Sequence, residues 1–185
     1  LLQPDSGTIR VLGYDTVADA EKVQSSIGYM PQKFGLYEDL TVMENMRLCA
    51  EMRAVPAEIR SERFRTLLEM TDLTKFTERL AGRLSGGMKQ KLALACTLVS
   101  DPKLILLDEP TVGVDPLSRR ELWQLLKHFS VERKITILVS TAYMDEAMYG
   151  SRALILYQGE ILRSAPPGEI ADSAAKYTFD VPVPQ

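Results

Sequence analysis

Lys103-Leu104-Ile105-Leu106-Leu107-Asp108-Glu109-Pro110 is the stretch on which the fold turns. Leu104 to Leu107 form an unbroken aliphatic run that ends abruptly in two acids. An apolar run without alternation suits a strand covered on both faces, as in a parallel sheet. In open α/β sheets, ligands gather at the carboxyl ends of the strands. Adjacent acids at that edge are costly unless they meet a cation or a proton-transfer task. Asp108 is therefore a candidate to hold Mg²⁺ through water, and Glu109 to orient or deprotonate an attacking water. Two exposed acids at a strand end would give the same pattern, so the run alone does not decide.

Working outward, Leu84-Ser85-Gly86-Gly87 opens an apolar helix from Gly86 to about Ser100. Glycines there let a backbone approach a phosphate closely. The free N–H groups and the helix dipole face an anion, and the Ser85 hydroxyl adds a donor. A serine N-cap with a flexible lead-in is the competing explanation.

After the acids, Pro116 to Phe129 reads as a helix and Ile135 to Val139 as another buried strand. Met144 to Tyr149 is a short helix, Ala153 to Tyr157 a strand, and Gln158-Gly159 a turn into Glu160 to Arg163. Pro167 to about Lys176 is a last helix. Before the acids, Thr8 to Leu12 and Ser26 to Met30 read as strands. Thr41 and Glu44 form a capping box that opens a helix to about Arg53. Pro56 at a first helical position starts another, with Ile59, Phe64, Leu67 and Leu68 at helical spacing. Residues 41 to about 80 thus form a helical block. Strand–helix alternation points to an α/β domain with a largely parallel sheet.

The 185 residues suffice for one substantial domain, and 45% hydrophobic with 25% charged residues is ordinary for a globular chain. A net charge of −3 gives no basic footprint for nucleic acid. Cys49 and Cys96 sit in apolar helical stretches with no metal-site spacing; they read as buried and reduced, which fits a cytosolic protein. No apolar run approaches the ~20 residues needed to span a bilayer, and no secretory leader is apparent. The opening Leu1-Leu2-Gln3-Pro4-Asp5-Ser6-Gly7 reads as a helix end and turn, so a truncated N-terminus is expected.

Taken together and in order, the motifs resemble the ATP-hydrolysing domain of ABC transporters. Leu84-Ser85-Gly86-Gly87-Met88-Lys89-Gln90 is similar to the ABC signature. Leu104 to Pro110 looks like the Walker B strand with its catalytic glutamate, Glu109. Gly113-Val114-Asp115 matches the D-loop, and Tyr29-Met30-Pro31-Gln32 looks like the Q-loop. The resemblance implies a P-loop NTPase-like core, a mostly parallel sheet with flanking helices, joined by a helical subdomain. It divides the chain into residues 1–40 (core ending in the Q-loop), 41–84 (helical subdomain), 85–176 (signature, Walker B, D-loop and switch) and 177–185 (tail or linker).

It further implies ATP and Mg²⁺ as cofactors. Glu109 would be catalytic; Asp108 and Gln32 would face the metal; Gln32, Ser85, Gly86, Gly87, Gln90, Asp108 and Asp115 would face the nucleotide. Two such domains form a head-to-tail sandwich in this family, so the signature would serve ATP held by a partner domain, and Asp115 would lie at the interface. The segment from Phe34 to Asp39 would face a membrane permease subunit. The chain would then sit peripherally on the cytoplasmic face of the inner membrane and drive export of a small molecule. The stretches Tyr29 to Tyr37 and Ser118 to Trp123 are close to drug-exporter subunits with two fused, unequal nucleotide-binding domains.

Two features depart from the family pattern. No Gly-x-x-x-x-Gly-Lys-Ser/Thr loop occurs, so the cradle for the β- and γ-phosphates and the stacking aromatic are missing from this stretch. This chain by itself is expected to bind ATP weakly. In Ser140-Thr141-Ala142-Tyr143-Met144-Asp145-Glu146-Ala147, Ala142 stands where the family usually has histidine, and alanine cannot donate to a γ-phosphate. The lone His128 is read instead as a helix-end residue in favourable contact with the dipole. A non-catalytic remnant that docks to partners is one alternative. A non-transport ABC ATPase is another, though the short helical block between Gln32 and Leu84 leaves no room for a repair-type coiled coil. Val112-Gly113-Val114-Asp115 also differs from the translation-factor wording.

Overall fold

The computed structural model describes residues 4–33 and 35–174. The opening turn at residues 1–3, Phe34, the end of the last helix and the linker-like tail at 177–185 lie outside the described residues. The chain divides into two compact units, Leu1–Ser140 and Thr141–Gln185.

In the first unit, β1 (Arg10–Val11) and β2 (Tyr14–Asp15) form a small antiparallel hairpin. The strand expected over Thr8 to Leu12 is cut short because Leu12, at φ 52°, turns the chain back. Helix α1 (Ala20–Ser26) was not anticipated; its seven residues bury only Val23, too little for a periodic signal. Then follow β3 (Ile27–Met30), α2 (Val42–Met52), α3 (Ala57–Met70), α4 (Gly86–Leu98), β4 (Leu104–Asp108), α5 (Pro116–Glu132) and β5 (Thr136–Ser140). The sheet order is β3-β4-β5, all parallel, with β4 in the centre. Its register pairs Met30 with Leu107 and Asp108 with Ser140, which brings three strand ends to one edge.

The core forms where α4 lies on this sheet. Leu92, Leu94 and Val99 of the α4 region, Ile105 and Leu107 of β4, and Leu122 and Phe129 of α5 are all buried. Each such side chain contributes about 1.5–3 kcal/mol of transfer free energy. β5 departs from expectation. It pairs only with β4 among the described residues, and Leu138 is 53% exposed, so its faces are not both covered.

The helical block follows the sequence closely. The Thr41 hydroxyl accepts from the Glu44 N–H at 3.1 Å, and the Glu44 carboxylate accepts from the Thr41 N–H at 2.8 Å. Thr41→Ala is expected to lower the unfolding free energy by about 1 kcal/mol, read from a urea titration. Pro56 stands one position earlier than expected, at the N-cap of α3, because its ψ of 138° is extended. Phe64, Leu67 and Leu68 are buried as expected, whereas Ile59 faces solvent. His128 is not at a helix end: α5 runs on to Glu132, and the exposed ring sits edge-on to Phe129 at 6.2 Å. Cys96 is buried and Cys49 half-buried, both as free thiols. Their mutual hydrogen bond, together with burial, pushes the Cys96 thiol well up.

In the second unit a short 3₁₀ turn, Glu146–Tyr149, precedes β6 (Ala153–Tyr157) and β7 (Glu160–Ala165). The two strands form an antiparallel hairpin and are followed by α6 (Pro167–Ala174). Among the described residues, no helix is long and apolar enough to cross a membrane.

Candidate functional site

The parallel register delivers the two acids to the carboxyl edge of the sheet. Asp108 is the last residue of β4, opposite Ser140 on β5. The Ser140 hydroxyl donates to Asp108 Oδ1 at 2.5 Å. The Glu109 N–H reaches the Ser140 carbonyl at 3.0 Å and its hydroxyl at 3.3 Å. Glu109 has left the strand with φ 44°, the left-handed region, which costs a residue with a Cβ on the order of 1 kcal/mol or more. That bend carries its carboxylate to Gln32, whose Nε2 donates to Glu109 Oε2 at 2.9 Å. Gln32 comes from just beyond β3, so residues 77 positions apart meet because their strands flank the same edge.

The donor set suits Mg²⁺ better than a cation that needs an all-protein cage. Asp108 offers a carboxylate, and the Gln32 amide nitrogen is engaged with Glu109, which leaves Oε1 as an oxygen that could face a cation. No group of three or more His, Cys, Asp or Glu side chains among the described residues could hold a metal alone. Magnesium is commonly held by one or two carboxylates, with water and substrate phosphates completing the octahedron.

A second group of residues lies at the start of α4. Ser85 is its N-cap, and the hydroxyl accepts from the Met88 N–H at 3.3 Å. The two glycines serve different ends. Gly86 is exposed, and the nearest atom to an added Cβ is the Gly113 carbonyl oxygen at 3.6 Å. Gly87 is buried, and a Cβ there would overlap the Ser118 side chain of α5. The missing side chain at 87 is thus used by packing inside this chain, while the Gly86 backbone stays open to an approaching group. Asp115 caps α5, accepting from Leu117 N–H at 3.1 Å and Ser118 N–H at 3.0 Å. Those donors, Ser118 first, hold its carboxyl below the usual carboxylate range. Gln90 is half-buried, with its side-chain oxygen enclosed and without a hydrogen-bond partner.

In the second unit, Ala142 is exposed. The loop around it is held by Thr141, whose hydroxyl donates to the buried Glu146 at 2.6 Å and accepts from the Tyr143 N–H at 3.0 Å. Two contributors were missed in the sequence. Ser140 bridges Asp108 and the Glu109 backbone, and only the strand register could have revealed it. Ser118 faces Gly87, and no local signal marks that contact.

Comparison with known proteins bears on the family and the fold. The sequence profile described as ABC transporter matches residues 1–112. The probable multidrug ABC transporter ATP-binding protein YbhF of Escherichia coli K12 is 53% identical over 179 residues, 97% of this chain and 31% of that protein. The human retinal-specific phospholipid-transporting ATPase ABCA4 is 41% identical over 168 residues, 90% of this chain and 7% of that protein. The chain therefore spans under a third of the length of these relatives. Among solved structures, cbiO1 of Clostridium perfringens, part of the ABC transporter complex cbiONQ, superposes with a TM-score of 0.85 at 27% identity. That match covers 93% of this chain and 70% of that one. The dimeric cassette MJ0796 in a post-hydrolysis state bound to ADP and Pi matches with a TM-score of 0.76 at 30% identity, covering 89% of this chain and 75% of that one.

Proposed function

This chain belongs to the ABC transporter family, and from that premise we propose that it is part of an ATP-hydrolysing subunit that drives small-molecule export through a membrane permease. The observation that carries this reading is the contact of Gln32 with Glu109 at 2.9 Å, beside Asp108, at the carboxyl edge of a parallel sheet. In this reading Glu109 orients the attacking water and accepts its proton. Gln32 holds that carboxylate in place and presents Oε1 toward the cation. Asp108, fixed by Ser140, would hold Mg²⁺, which would supply positive charge against the developing charge on the phosphates. Gln90, farther along α4, would help to position the signature end.

Ser85 and the Gly86 backbone serve the γ-phosphate of ATP held by a second nucleotide-binding domain, in a head-to-tail pair with Asp115 at the interface. Ala142 offers no donor where a γ-phosphate would need one, so this domain's own ATP site is slow. One named relative is described as a probable multidrug transporter protein and another as a phospholipid-transporting ATPase, which supports a small-molecule cargo chosen by the permease. The subunit would work at the cytoplasmic face of the inner membrane.

The test uses the full-length protein with its membrane partner. Ser85→Ala is expected to lower total ATP turnover about a hundredfold, the scale of one lost donor to a developing charge. Glu109→Gln is expected to leave it nearly unchanged, because the site it serves contributes little. The opposite order of effects would sink the division of labour.

A further inference from the structure

Residues 38–43 run antiparallel to residues 77–82, the stretch that leads into α4. Gly82 N–H donates to the Glu38 carbonyl at 3.0 Å and Ala81 N–H to the Leu40 carbonyl at 2.8 Å. Val42 N–H donates to Arg79 O and Met43 N–H to Thr77 O, both at 3.0 Å. Gly82 fits because a Cβ there would meet Glu38 Cβ and O at 3.2 Å. From the other side, the buried Asn45 amide clamps the same segment. It donates to the carbonyls of Tyr37, Leu40 and Thr41 and accepts from the Tyr37 N–H.

This backbone pairing stops at Gly82, short of Ser85. Past that point a side-chain contact continues the tie: Lys89 Nζ, on the first turns of α4, meets Glu38 Oε1 at 2.6 Å. Glu38 is 65% exposed and Lys89 32%, so burial does not force the pair together. We propose that Glu38 and Lys89 are positioning residues that set the pose of Ser85 and Gly86, so that a shift of the segment after Gln32 is passed directly to the start of α4. The inference rests on the reading that Ser85 and Gly86 serve a partner's ATP.

The experiment compares Glu38→Lys, Lys89→Glu and the swapped double variant in the full-length protein with its membrane partner, alongside Ser85→Ala. Each single variant turns an attractive exposed pair into a repulsive one. Each is expected to raise the KM for ATP on the order of fivefold while kcat stays within about twofold. The swap is expected to restore KM. The single-variant effect is expected to shrink as salt rises, since an exposed pair is screened. A purely structural role would lower the melting temperature without this KM-specific, salt-dependent rescue. A silent Ser85→Ala would overturn the underlying reading of the signature. An effective Ser85→Ala with unchanged KM in the two charge variants, or a swap that fails to recover, would overturn the positioning role alone.

Discussion

Ala142→His, made in the Ser85→Ala background, is expected to raise ATP turnover about a hundredfold. If the proposed division of labour holds, replacing Ser85 would silence the partner's site and leave the turnover of the site served by Glu109. Glu109, Gln32, Asp108 and Ser140 are already assembled there, with the contacts at 2.9 Å and 2.5 Å. In the function proposed above, position 142 would lack a donor toward the γ-phosphate. One preorganised donor at a developing charge changes kcat by about two to three orders of magnitude. The loop that carries position 142 is pinned by Thr141, whose hydroxyl bonds both Glu146 and the Tyr143 backbone. Adding Glu109→Gln to the same chain is expected to abolish the gain. Unchanged turnover after Ala142→His would sink the claim that this position limits the site.

Gly87→Ala is expected to destabilise the protein by about 1–3 kcal/mol, the usual cost of overpacking a close contact. The added Cβ would fall on the Ser118 Cβ and Oγ. Rotating the hydroxyl away leaves the overlap with Ser118 Cβ, so α4 and α5 must separate. Because Ser85 caps α4 and Asp115 caps α5, that separation displaces both the signature and the D-loop. Turnover in the full-length protein is expected to fall with stability. Ser118→Gly in the same chain removes the opposing Cβ and is expected to recover part of the loss in a urea titration. A Gly87→Ala variant as stable as the parent would show that the helices accommodate the methyl group.

Much of the site was legible locally. Asp108 and Glu109 stand out at the end of an aliphatic run, and the pattern becomes specific only together with Leu84 to Gly87. The Thr41–Glu44 capping box was legible because its bonds span three residues. Ser85 is harder, since an N-cap and an anion site use the same residue types; the structure shows the cap, through Met88, and leaves Gly86 open. The exposed face of β5 differs from the sequence reading because periodicity reports which residues are apolar and not what covers them, and α5 runs four residues past His128.

By itself, the sequence determined most of the element types, their order and the family, and it marked candidate site residues, because these depend on side-chain identity and short spacing. Tertiary structure alone decided that Gln32 meets Glu109, that Ser140 secures Asp108, that Gly87 must clear Ser118 and that Glu38 reaches Lys89. Each of those contacts joins residues 31 or more positions apart. They exist because strand register and helix packing set distance through space, which no local propensity encodes.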